Sequence, residues 1–239
     1  MRGIHILELW IEGTIDEVEK ATASGLAVKV ATNPTIIARW TADGRTLVDV
    51  VTEACQRIHV PIYVQLHGPD VATYVREMEA LLRISDQIHP KLVATHTGIE
   101  AAQRLERLGR RTLVTAVASV NQAFLAAAAG ASYIAPYYGR IEASGIDAAG
   151  FVRDVADLYA RHSVKTRIAA ASLRSPEQVA AAIIAGAHVA VMGYDVYRSL
   201  LDNELTQTWI DGFERDWSRF DFGSPEAITL DVAKAEQQT

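Results

Sequence analysis

Cysteine occurs once in the 239 residues, at Cys55. A single thiol excludes an internal disulfide and a thiolate cage for a metal. Lysine is nearly as scarce, limited to Lys20, Lys29, Lys91, Lys165 and Lys234, so arginine carries most of the positive charge. The 23 basic residues are outnumbered by 29 acidic ones, for a net charge of −6, and no basic stripe forms around the isolated pair Arg110-Arg111. That balance argues against a nucleic-acid partner. No apolar run approaches the roughly 18 residues of a membrane span. The N-terminus has acidic residues at Glu8 and Glu12 and no long apolar segment, so no signal peptide is expected. Together these absences predict a soluble, cytoplasmic protein.

What is present is a regular alternation, supported by a hydrophobic content of 49%. Short β-rich runs at 4–12, 26–33, 61–67, 88–94, 111–117, 131–138, 166–172 and 188–194 alternate with helical patterns. The helical stretches are 15–24, 34–58 (broken near 42–44), 71–84, 99–108, 121–129, 148–162, 176–185 and 196–202. Strand starts recur about every 26 residues, the pace of a βα unit. The pattern predicts an α/β fold, a single (β/α)8 TIM barrel, with an open doubly wound sheet as the alternative. Ala-Gly-Ala ends helices at Gly130 and Gly186, and Ser119 and Ser175 stand at N-cap positions. An additional C-terminal helix is expected at 206–220, with Trp209, Phe213 and Trp217 on one face. That stripe fits a core-facing seal or a neighbouring subunit. The barrel with its helix would occupy 1–220, and the weakly patterned tail 221–239.

Chemistry in such barrels collects at the carboxyl ends of the strands. There the sequence offers Glu12, Thr32, Asn33, Gln65, Lys91, Thr115, Tyr137, Arg140, Ser172 and Arg174. Each has an ordinary alternative: Asn33-Pro34 starts a turn, Gln65 satisfies a loop, Thr115 suits any strand, and Ser172 and Arg174 cap and solvate a helix. Lys91, in the apolar run before Gly98, is either a strand-end lysine reaching water or a Schiff-base nucleophile freed by desolvation. As a set these groups suit carbon–carbon bond cleavage in a ketose phosphate. The amine condenses with the ketone and draws electrons as the bond breaks. A carboxylate and a phenol move protons, and two arginines and a serine take a phosphate.

Five motifs in register carry a family resemblance. They are Thr32-Asn33-Pro34-Thr35-Ile36-Ile37, the Lys91 segment ending Thr95-His96-Thr97-Gly98, and Thr112-Leu113-Val114-Thr115-Ala116-Val117. Ala135-Pro136-Tyr137-Tyr138-Gly139-Arg140-Ile141 and Ala170-Ala171-Ser172-Leu173-Arg174 complete the set. The chain resembles the transaldolase family, most closely its short bacterial branch, the fructose-6-phosphate aldolases. The resemblance implies Lys91 as the Schiff-base lysine, Asn33 with Thr32 on the substrate, and Tyr137 as acid/base. It further implies Glu12 as proton shuttle, Gln65 and Thr115 holding a water, and Arg140, Ser172 and Arg174 on phosphate. Transaldolases proper carry glutamate at position 65 and phenylalanine at 137, so this chain matches the aldolase side. The implied activity is aldol cleavage or formation with dihydroxyacetone as the donor fragment. Transfer of that fragment between sugar phosphates is the alternative, and a phosphosugar-binding barrel without turnover the third reading. No cofactor and no metal are expected. The family's decamers of two pentameric rings imply a homo-oligomer, pentamer or decamer.

Overall fold

The computed structural model describes residues 7–219, in two compact units that part between Leu200 and Leu201. The strands are β1 (Glu8–Glu12), β2 (Ala27–Ala31), β3 (Ile62–Gln65), β4 (Ile88–Val93), β5 (Leu113–Val117), β6 (Tyr133–Pro136), β7 (Arg167–Leu173) and β8 (Val189–Gly193). All pair in parallel in chain order, and β1 closes on β8 from Glu8↔Val189 to Glu12↔Gly193. The fold is therefore a closed (β/α)8 barrel and not an open sheet. Helices α1 (Ile15–Ala23), α2 (Pro34–Trp40), α3 (Leu47–Arg57), α4 (Val71–Leu82) and α5 (His96–Arg107) lie between the first five strands. After β5 come α6 (Val120–Ala128), α7 (Tyr138–Ala143), α8 (Ala148–Arg161), α9 (Pro176–Ile184) and α10 (Tyr194–Ser199).

Two apolar clusters follow from the alternation along each strand. Outward residues such as Ile11, Val30, Leu92 and Ile134 pack under the helices. Inward residues, led by Trp10, Tyr63, Leu113 and Tyr133, fill the barrel. Trp10 stacks on Tyr63 at 4.9 Å and meets Tyr133 edge-on at 4.8 Å, so three rings plug the interior. Beneath the plug, Glu8 accepts from Lys29 at 2.5 Å, from Trp10 at 2.8 Å and from Arg167. This charged floor leaves the carboxyl ends of the strands as the accessible mouth.

The local signals hold where they rest on backbone chemistry. Gly130 and Gly186 take φ of 82° and 108°, ending α6 and α9 in the left-handed conformation. The hydroxyls of Ser119 and Ser175 accept from Gln122 N and Gln178 N at 3.2 and 3.3 Å. Differences arise at boundaries. The helical stretch 34–58 is two helices, α2 and α3. The strand expected at 131–138 stops at Pro136, leaving Tyr137 a single bridge to Ala171, and α7 begins at once. Gly139 permits this, since a Cβ there would sit 2.2 Å from the Ser172 carbonyl oxygen.

In the second unit, α11 (Glu204–Trp217) is capped by Asn203, whose Oδ1 accepts from Leu205 N and Thr206 N. None of its residues is buried: Trp209 is 58% and Phe213 60% exposed. The first residues of the strand expected from position 4, the end of the helix at 220 and the tail 221–239 lie outside the described residues. No described helix is long and apolar enough to cross a membrane.

Candidate active site

Lys91 points into the barrel because its neighbours Pro90 and Leu92 take the outward positions of β4. It is 2% exposed. Its Nζ donates to the backbone carbonyl of Thr32 at 2.6 Å. Burial pulls the ammonium down from its ordinary 10.5 to about 8, opposed by the charge of Glu12 and assisted by Arg140. Glu12, at the end of β1, is pushed the other way. Burial raises its carboxyl, while Lys91, Arg174, Arg140 and Arg39 restrain the rise. A partly deprotonated amine thus faces a carboxyl readier than usual to carry a proton.

The inner cavity holds about 30 Å³, room for a water or two, and shares Glu12, Asn33, Arg140 and Arg174 with a vestibule of about 430 Å³. Glu12, Asn33, Lys91, Tyr137, Arg140, Ser172 and Arg174 all line the inner cavity. Gln65 and Thr115 sit in the strand ends flanking Lys91, in register as Gln65↔Lys91 and Val93↔Thr115. Gln65 Oε1, Thr115 Oγ1 and Ser172 Oγ are buried with no hydrogen-bond partner. Buried polar atoms are seldom left so, and each unmet group costs about 1–3 kcal/mol. Gln65, Thr115 and Thr32 are the three of the ten that do not line the inner cavity, and the Thr32 side chain has a partner elsewhere. Its hydroxyl donates to Tyr63 O at 3.0 Å, and it serves the cavity through its carbonyl.

Backbone irregularity aims several of these groups. Ser172 has φ of 61° and Ala116, beside Thr115, has 58°. Both fall where strand register slips, between Thr115 and Val117 and between Ala170 and Leu173. Bulges of this kind redirect side chains at barrel rims, and the left-handed conformation costs a residue with a Cβ roughly 1–3 kcal/mol. Asn33 spends its Oδ1 capping α2 on Ile36 N at 3.0 Å, leaving its amide N–H groups for the cavity. Arg140 lies over the Tyr137 ring, 4.9 Å from its centroid.

A family model described as Transaldolase/Fructose-6-phosphate aldolase matches residues 12–221. The chain belongs to this family. Among its curated relatives, probable transaldolases from Pelotomaculum thermopropionicum and Desulforudis audaxviator are each 37% identical over 214 residues, covering 89% of this chain and 98% of theirs. One from Chelativorans is 35% identical over 205 residues, covering 86% and 93%. For a transaldolase/fructose-6-phosphate aldolase, the contrast between two lysines is informative. Lys29 lies on the amino-end floor, paired with Glu8 and stacked over Trp10 at 5.2 Å, whereas Lys91 lies at the mouth.

Three residues of the mouth escaped the sequence reading. Arg39 lines the vestibule from α2. Gln122 Oε1 accepts from Ala118 N at 2.8 Å and its Nε2 donates to Ala94 O at 3.3 Å, tying the ends of β4 and β5. Gln178 makes the corresponding pair with Arg174 N and Glu142. The recurrence of Ser-x-x-Gln at 119–122 and 175–178 is the signal that could have found both glutamines.

Proposed function

We propose that this enzyme is a Schiff-base aldolase that cleaves or forms a ketose phosphate, such as fructose 6-phosphate, with dihydroxyacetone as the donor fragment. The observation that carries the proposal is Lys91, an amine lowered to about 8 at the floor of a cavity that also contains Glu12 and Tyr137. In this reaction the amine of Lys91 adds to the ketone carbon, and Glu12 supplies the proton with which water leaves. The resulting iminium accepts the electron pair of the breaking C3–C4 bond, while the proton of the C4 hydroxyl passes toward Tyr137. The aldehyde phosphate departs, leaving an enamine on Lys91. Protonation of the enamine carbon and attack of water on the iminium then release dihydroxyacetone. Gln65 and Thr115 are the candidates to hold that water, a role supported by their unpartnered buried oxygens. Arg140, Ser172 and Arg174 take the phosphate and Asn33 the substrate hydroxyls.

The second reading is a transaldolase, favoured by the names of the relatives. It would retain the enamine until an acceptor aldehyde arrives. Gln65 and Tyr137 favour release, because a neutral amide and a phenol can keep a water and a proton beside the enamine. The deciding experiment is dihydroxyacetone release from fructose 6-phosphate with and without erythrose 4-phosphate. Release without acceptor is the expected result; release only after its addition would make the enzyme a transaldolase. No borohydride-trapped adduct under either condition would leave the non-catalytic binding barrel. A cytoplasmic location and a homo-oligomer, pentamer or decamer, belong to the same proposal, the latter supported by the exposed Trp209 and Phe213. Light scattering on the full chain tests the assembly.

A further inference from the structure

Arg140 and Arg174 reach the cavity from separate elements, α7 and the segment after β7. Neither joins any ion pair among the described residues, whereas Arg57 holds Asp16, Glu19 and Glu53. Two exposed guanidiniums of like charge gain nothing from staying together in the absence of an anion. Any freedom of the segments that carry them must be surrendered on binding unless those segments are already held in place.

Gln178 sits where those backbones meet. Its Oε1 accepts from Arg174 N at 2.7 Å and its Nε2 donates to Glu142 Oε2 at 2.5 Å. The orientation of the amide is unambiguous, because a backbone N–H can only donate and a carboxylate only accept. Glu142 lies on α7, two residues beyond Arg140, so one side chain joins the two arginine-bearing segments. Close packing adds to the link: a Cβ at Gly139 would lie 3.3 Å from Gln178 Oε1 and 3.4 Å from Arg174 Cγ. Gln122 offers an internal comparison. It occupies the same place after β5, but its Nε2 donates to a backbone carbonyl, while its Oε1 accepts from Ala118 N and from its own N-cap hydroxyl, Ser119 Oγ. Only at Gln178 does the amide N–H reach a side chain of another element, the one that carries Arg140.

We infer that Gln178, with Glu142, is a positioning residue that holds Arg140 and Arg174 at the spacing that receives the substrate phosphate. The inference rests on the phosphate-binding reading given above. It is tested on the full chain with inorganic phosphate by titration calorimetry, and with KM for fructose 6-phosphate. Controls are the addition of dihydroxyacetone to unphosphorylated glyceraldehyde, and the melting temperature. Gln178→Leu and Glu142→Leu should weaken phosphate and raise that KM about two- to tenfold, the effect of one hydrogen bond. The glyceraldehyde reaction should not move, and the melting temperature should fall by no more than about 2–4 °C for each hydrogen bond lost. Glu142→Gln should behave as the parent, since an amide oxygen still accepts from Gln178. Equal losses on both substrates, or a Glu142→Gln variant as weak as Glu142→Leu, would overturn the inference. Arg140→Ala separates the two levels. If it leaves phosphate affinity unchanged, the phosphate reading fails and the inference falls with it. If it loses affinity while Gln178→Leu does not, the bridge alone is refuted.

Discussion

The Nζ of Lys91 donates to the backbone carbonyl of Thr32 across 2.6 Å, while the Thr32 hydroxyl turns to Tyr63 O. A neutral amine that gives one N–H to this carbonyl has its lone pair held in a fixed direction. Thr32 therefore acts on the lysine through a group that side-chain substitution cannot remove. Thr32→Val should keep kcat/KM within a few-fold and cost about 1 kcal/mol of stability, the value of the bond to Tyr63 O. Denaturant unfolding beside the cleavage assay checks both. A loss of activity approaching a hundredfold would return the hydroxyl to the substrate.

Lys91→Met should abolish activity and the borohydride-trapped adduct, with peptide mapping as the readout. An adduct on Lys29 would overturn the assignment. The same variant carries a stability prediction. Folding lowers the Lys91 amine from 10.5 to about 8, so between these values the unfolded chain binds more protons and stability rises with pH. Below about pH 8 the full cost of burying the ammonium, about 3 kcal/mol, is present. After the loss of the Thr32 contact, Lys91→Met should be more stable by roughly 2 kcal/mol at pH 7. That advantage should shrink toward pH 10. Parent activity should climb from pH 6 to 8 as the free amine accumulates.

Arg140→Ala and Arg174→Ala should each lower kcat/KM for phosphorylated substrates by about ten- to hundredfold, from the roughly 1.5–3 kcal/mol of a charged hydrogen bond. The effect should fall mainly on KM and spare unphosphorylated aldehydes. Equal losses on both substrate types would assign these arginines to the fold.

Asn33 separates cap from substrate contact. Asn33→Ser retains an acceptor for Ile36 N and should keep the stability of the parent, whereas Asn33→Ala should lose about 1 kcal/mol. Both remove the amide donors, so both should lose activity alike. If Asn33→Ser is fully active, the side chain serves the helix only.

Tyr137→Phe should suppress dihydroxyacetone release about 10²–10⁴-fold, the usual contribution of one proton-transfer group. Gln65→Glu should shift product from release toward transfer. A Tyr137→Phe enzyme that releases dihydroxyacetone at the parent rate would assign the proton to another group, with Glu12, which lines the same cavity, the next candidate.

Periodicity alone determined the eight βα units, because apolar alternation and the stops at Gly130 and Gly186 are set by residues close in the chain. The same local logic exposed Lys91, since a lysine in an apolar strand stands out without any knowledge of its partners. Closure needed the tertiary structure: Glu8 meets Val189 across nearly the whole barrel, and no local pattern encodes that pairing. Strand phase likewise separated Thr32 from Asn33, adjacent residues of which one turns to Tyr63 and the other lines the cavity. The run Tyr133 to Tyr138 reads as one strand until Gly139 lets α7 pack against the Ser172 carbonyl, a contact that bends the chain and carries Arg140 to the mouth. The stripe on α11 shows the opposite limit. Its spacing declared an apolar face, but whether that face is covered depends on what lies beside it, and in the single chain Trp209 and Phe213 are exposed.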